Sequence, residues 1–154
     1  MNESAGPKRF VEVLLVEDNP ADARLAKEVF RDVNSSVRLH FASDGLIAMA
    51  FLRREGVYAD APRPDLILLD LNMPKMDGRA VLASIKEDDE LKIIPTVVLS
   101  SSEADADVLI SYQLRANCYL RKPAQWDEFD HIIRCINAFW LNKIRLPQQL
   151  DAPA

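Results

Sequence analysis

Apolar residues fall in short strand-sized runs separated by longer stretches in which they recur every three or four positions. Phe10-Val11-Glu12-Val13-Leu14-Leu15-Val16, Val37 to Ala42, Leu66 to Leu69, Thr96 to Leu99 and Asn117 to Leu120 read as strands. Leu66 to Leu69 is apolar throughout and is expected to be central. A helix is predicted to open at Pro20, where a missing backbone donor costs little, and to carry Leu25, Ala26, Val29, Phe30 and Val33 on one stripe. Further helices follow Asp44-Gly45, with Leu46, Ile47, Ala50 and Phe51, and Asp77-Gly78, with Val81, Leu82 and Ile85. A fourth runs from about Glu103 to Leu114, where Ser102 with Asp105 is a candidate capping pair, and a fifth carries Phe129, Ile132, Ile133, Ile136 and Trp140. The stretch Arg53 to Pro64, with one glycine and two prolines, is expected to cross the surface.

Five alternating strand and helix units predict a doubly wound α/β fold, (βα)5, with a five-stranded parallel sheet covered on both faces. A flexible polar tail over residues 1–8, a folded domain over 9–144 and an extension over 145–154 account for the chain. The full 154 residues suit one domain better than two.

Twenty-four acidic residues against 19 basic ones leave a formal net charge of −5, so no broad basic field for nucleic acid is expected. No apolar stretch is long enough to span a bilayer and no secretion signal stands at the start, so residence in the cytoplasm is expected. Cys118 and Cys135 are expected as free packing cysteines, and His40 and His131 lack a metal-ligand pattern.

A doubly wound sheet gathers the loops at the carboxyl ends of its strands. That edge receives Glu17 and Asp18 from the first strand, Asp70 from the third, Ser100 from the fourth and Lys122 from the fifth. Glu17, Asp18 and Asp70, with the backbone carbonyl of Asn72, are a donor set for a hard divalent cation, Mg²⁺ with Mn²⁺ as a substitute. A phosphoryl group on Asp70 would be neutralised by that cation on one side and by the Lys122 ammonium on the other, with the Ser100 hydroxyl donating to a phosphoryl oxygen. Asp77, beside Gly78, is read as a turn residue and not as a ligand. Self-modification is the expected chemistry, not turnover of an external substrate.

With these residues in place the chain resembles the receiver domains of two-component response regulators, over roughly Arg9 to Ile144. The resemblance implies a flavodoxin-like sheet of strand order 2-1-3-4-5 and a phosphoacceptor at Asp70 supplied by a histidine kinase or phosphotransfer protein. It implies metal ligation by Glu17, Asp18 and the carbonyl of Asn72, and a switch in which Ser100 and the rotamer of Tyr119 respond to phosphate. It also implies a cis peptide between Lys122 and Pro123. The strings Leu15-Val16-Glu17-Asp18-Asn19-Pro20-Ala21-Asp22, Phe51-Leu52-Arg53-Arg54-Glu55-Gly56 and Ala116-Asn117-Cys118-Tyr119 resemble stand-alone regulators that partner phytochrome kinases. Trp140, Leu141, Ile144, Leu146 and Leu150 extend apolar character past the last helix and are candidate homodimer contacts. The competing reading is a receiver-like scaffold that binds a kinase or another protein without phosphate.

Overall fold

A computed structural model of the chain describes residues 10–143 and 145–147. The strands are β1 (Val11–Val16), β2 (Val37–Ala42), β3 (Leu66–Leu69), β4 (Thr96–Ser100) and β5 (Cys118–Arg121). The helices are α1 (Pro20–Val33), α2 (Gly45–Arg53), α3 (Gly78–Glu87), α4 (Asp105–Gln113) and α5 (Trp126–Trp140), with a short 3₁₀ turn at Gly56–Tyr58. All strand pairings are parallel and the order is β2-β1-β3-β4-β5, the flavodoxin-like arrangement expected.

Side-chain alternation divides the sheet's two faces. Leu14, Val16, Ile67, Leu69 and Val98 join Ala48, Leu52, Val81, Leu82 and Ile85 of α2 and α3 in one core layer. Val13, Leu15, Leu66, Leu68, Val97 and Leu99 join Ala26, Val29 and Phe30 of α1 and Phe129, Ile133 and Ile136 of α5 in the other. The four residues of β3 have no or almost no exposed surface, as a strand with helices on both faces requires.

The caps explain the boundaries. The Asn19 side chain accepts from the amides of Ala21 and Asp22 to start α1, Asp44 accepts from Ile47 to start α2, and Asp77 accepts from Arg79 to start α3. Arg54 ends α2 in the left-handed region at φ 57°. The expected Ser102 and Asp105 capping pair does not form. Ala104 is the N-cap of α4, and the Ser102 hydroxyl instead accepts from the Ala104 amide and donates to Asp107.

Two further expectations are corrected. No cis peptide occurs among the described residues, so Lys122 to Pro123 is trans, the form an X-Pro bond favours by about 0.5–1 kcal/mol without tertiary context to reverse it. Cys135 is exposed, because the core face of α5 is occupied by Phe129, Ile133 and Ile136; Cys118 is half-buried on β5. The expected tail, Ile144 at the end of the expected domain and Leu150 of the extension lie outside the described residues. Leu141 and Leu146 are buried in the chain's own core beside α1 and α5, which removes them as free surface for a partner. Among the described residues no helix is long and apolar enough to cross a membrane.

Candidate functional site

The parallel ladder runs on for one residue past each strand and places the polar groups. The Glu17 amide donates to the Ala42 carbonyl at 2.9 Å, the Asp70 amide to that of Val16 at 3.0 Å, and the Lys122 amide to that of Ser100 at 2.7 Å. Glu17, Asp70 and Lys122 are therefore each the first residue after a hydrogen-bonded strand, held by backbone and not by loop contacts alone, while Ser100 is the last residue of β4 itself.

One carboxylate oxygen from each of Glu17, Asp18 and Asp70 lies within 4.8 Å of the others, the one such trio among the described residues. Glu17 and Asp70 are buried at 6 % exposure while Asp18 faces solvent. All three offer carboxylate oxygens, the donor type that a hard divalent cation takes. The donor set fits a divalent cation. Asn72 is exposed in the loop after Asp70, its amide donating to Asp70 Oδ1 at 3.3 Å.

Lys122 reaches into this cluster. Its Nζ is 2.8 Å from Glu17 Oε1, 3.0 Å from Asp22 Oδ2 and 3.7 Å from Asp70 Oδ2. Burial pushes the Glu17 carboxyl up to about 7, with the Asp70 charge adding and the Lys122 hydrogen bond opposing. Burial also raises Asp70, against the Lys122 charge. For Lys122 burial acts downwards, but the Glu17 hydrogen bond and the charges of Glu17 and Asp70 prevail and raise it. Several carboxylates share one ammonium here, a deficit of positive charge that a divalent cation removes.

Ser100 is fully buried, and its hydroxyl oxygen accepts from the Ser102 amide at 3.3 Å. Tyr119 is half-buried; its hydroxyl donates to the Ser102 carbonyl at 2.9 Å, and its amide donates to the Tyr112 hydroxyl at 3.2 Å. Ser102 is thus bonded to both residues expected to switch. Beyond it, Ser102 Oγ donates to Asp107 Oδ2, Asp107 Oδ1 accepts from Arg79 Nη2, and Arg79 Nη1 reaches Asp77 Oδ2 at 3.1 Å. The Ser102 hydroxyl first, and then Arg79, hold the Asp107 carboxyl below its ordinary value.

The structure therefore brings Glu17, Asp18, Asp70 and Lys122 together and places Ser100 and Tyr119 around one adjoining loop. Asp22, Ser102, Asp107 and Arg79 were missed as partners. Asp22 was readable as a carboxylate in the first turn of the helix that follows Glu17 and Asp18. Arg79 and Asp107 carry no local signal, being 28 residues apart.

Comparison with known proteins bears on this geometry. The response regulator receiver domain family matches residues 13–134. Response regulator Rcp1 of Synechocystis sp. is 46 % identical over 147 residues, covering 96 % of this chain and 99 % of Rcp1. Its Mn(2+)-bound crystal structure superposes with a TM-score of 0.86 at 48 % identity, over 89 % of this chain and 99 % of that one. The phosphorylated cyanobacterial phytochrome response regulator RcpA gives a TM-score of 0.87 at 49 % identity, over 90 % and 99 %. The probable methanogenesis regulatory protein FilR2 of Methanothrix harundinacea is 38 % identical over 136 residues, 88 % of this chain and 86 % of FilR2. An acidic trio at the sheet edge, a lysine from the fifth strand and a family match across 13–134 converge, and the chain belongs to the response regulator receiver domains.

Proposed function

We propose that this protein is a stand-alone response regulator whose Asp70 accepts a phosphoryl group from a sensor histidine kinase, and that the kinase is a phytochrome. The observation that carries the reading is the convergence of Glu17, Asp18, Asp70 and Lys122 on one strand edge, from three separate strands. Similarity to RcpA, a cyanobacterial phytochrome response regulator, supports the phytochrome partner.

In the reaction an Asp70 carboxylate oxygen bonds to phosphorus as the bond from phosphorus to the donor imidazole nitrogen breaks. Glu17, Asp18, Asp70 and the carbonyl of Asn72 would hold Mg²⁺, or Mn²⁺ in its place, which would supply positive charge to the phosphoryl oxygens. Lys122 leaves Glu17 to contact the phosphoryl group, a shift that begins from only 3.7 Å. Ser100 already accepts a hydrogen bond from the loop, which leaves its own O–H to donate to a phosphoryl oxygen. Tyr119 follows through Ser102, and altered packing at the face of α4, β5 and α5 changes which proteins bind. The chemistry is transfer to the protein itself and hydrolysis from it, not turnover of an external substrate.

The chain also forms a homodimer in this reading. With Leu141 and Leu146 internal, the support is the apolar groove of about 540 Å³ on β5 and α5, where Leu120, Ile136, Phe139 and Trp140 meet and Phe139 is 53 % exposed.

The test is intact-mass measurement after incubation with a small phosphodonor, with and without Mg²⁺, under conditions that preserve acyl phosphates. Wild type gains one phosphoryl group only with Mg²⁺, and Asp70→Asn gains none. No addition to wild type, with an active control regulator, favours the phosphate-independent scaffold; equal addition to both proteins rejects Asp70 as acceptor.

A further inference from the structure

The loop between β4 and α4 is held by a continuous polar chain that starts outside the phosphoryl site. Arg79, in the first turn of α3, pairs with Asp77 beside it and reaches across to Asp107 in the first turn of α4. Asp107 accepts from the Ser102 hydroxyl. The Ser102 amide bonds the Ser100 hydroxyl oxygen and the Ser102 carbonyl takes the Tyr119 hydroxyl. The Arg79 and Asp107 side chains are 29 % and 23 % exposed, so this pair is shielded more than a freely solvated surface pair. None of the four links between Arg79 and Ser100 or Tyr119 is a regular backbone bond of sheet or helix. The position of Ser102 is therefore set by side chains.

We propose that Arg79 is a positioning residue for phosphoryl binding, acting through Asp107 and Ser102 to hold the Ser100 hydroxyl and the Tyr119 ring in the arrangement that receives the phosphoryl group. This rests on the reading of Asp70 as acceptor and adds a regulator of the same site. The physical reason is preorganisation. A hydroxyl has one proton and two lone pairs. By fixing the Ser102 amide against one lone pair of Ser100, the chain leaves the proton for the phosphoryl oxygen, and the ordering cost is met before binding and not during it. Arg79 suits the task because its planar fork spans two carboxylates, Asp77 and Asp107, and stays charged at all physiological pH values. It also ties the start of α3, the helix that follows the Asp70 loop, to the start of α4.

The test is titration of the full chain with beryllofluoride in saturating Mg²⁺, followed by ¹⁹F NMR, since beryllofluoride on a carboxylate oxygen has the tetrahedral shape of a phosphoryl group. Arg79→Ala and Asp107→Asn are each expected to weaken beryllofluoride binding by at least about threefold, and the double variant no further than the weaker-binding single one. Mg²⁺ affinity without beryllofluoride, measured separately, stays at the wild-type value, because the metal ligands lie outside the chain. A smaller effect than threefold, additive losses in the double variant, or an equal loss of Mg²⁺ affinity overturns the proposal. Failure of wild type to bind, or equal binding by Asp70→Asn, overturns instead the acceptor reading beneath it.

Discussion

Lys122 Nζ and Glu17 Oε1 stand 2.8 Å apart although 105 residues separate them, and the side chains are only 11 % and 3 % exposed. A lysine near the end of the domain is the internal counter-charge for an acid near its start. It is shared with Asp22 and Asp70, so removing it or adding a cation redistributes the same deficit.

The pH dependence follows from Glu17. Burial lifts its carboxyl from 4.5 to about 7 in the folded chain, so between those values the native state binds more protons than the unfolded one. Stability without metal is therefore expected to fall as pH rises from about 4.5 through 7, and Glu17→Gln to flatten that slope. Cation binding needs the deprotonated acid, so Mg²⁺ affinity rises over the interval from pH 6 to 8. Melting temperature against pH, with and without Mg²⁺, checks both slopes.

Lys122→Met leaves Glu17 and Asp70 buried together without their ammonium. The expected cost in metal-free buffer at pH 8 is up to about 3 kcal/mol, and less at pH 6, where Glu17 takes up a proton. Mg²⁺ recovers part of it. Urea unfolding at the two pH values measures the difference.

Gly78 has a role that its turn chemistry understates. A Cβ there meets the carbonyl oxygen of Asp70 and the Cα of Leu71 closer than 3.0 Å, and both are backbone atoms that cannot swing aside. Gly78→Ala is expected to cost about 1–3 kcal/mol and to displace the acceptor loop. Phosphoryl incorporation by intact mass should drop even at temperatures where circular dichroism shows the fold intact.

Leu68, fully buried in β3, belongs to the scaffold alone. Leu68→Ala is expected to cost about 2–5 kcal/mol in urea unfolding, from lost transfer energy and the cavity left behind. Asp18→Asn, at an exposed ligand, should change stability little while weakening Mg²⁺ binding.

Much of this was legible because period and position agree. β3 was recognisable as central from four consecutive apolar residues, and α1 from Asn19-Pro20 before a helical stripe. The acid trio and Lys122 were legible because parallel topology delivers the residue after each strand to one edge. What escaped depends on contacts across the chain. Ser102 had several acidic neighbours in sequence, and only the approach of Arg79 makes Asp107 its partner. Cys135 looked like core from apolar neighbours, yet the helical turn carries it to the outside, 3.5 Å from His131. The apolar residues after α5 hinted at a partner, while Leu146 folds back to complete exclusion at the domain's own core.

The strand order also orders events during synthesis. Glu17, Asp18 and Asp70 leave the ribosome before Lys122, and α5, which ties Arg134 to Asp32 and Asn137 to Asn34 of the first helical segment, comes later still. Lys122 is thus the last charge to join the site, since its place beside Glu17 and Asp70 exists only once β5 has paired with β4.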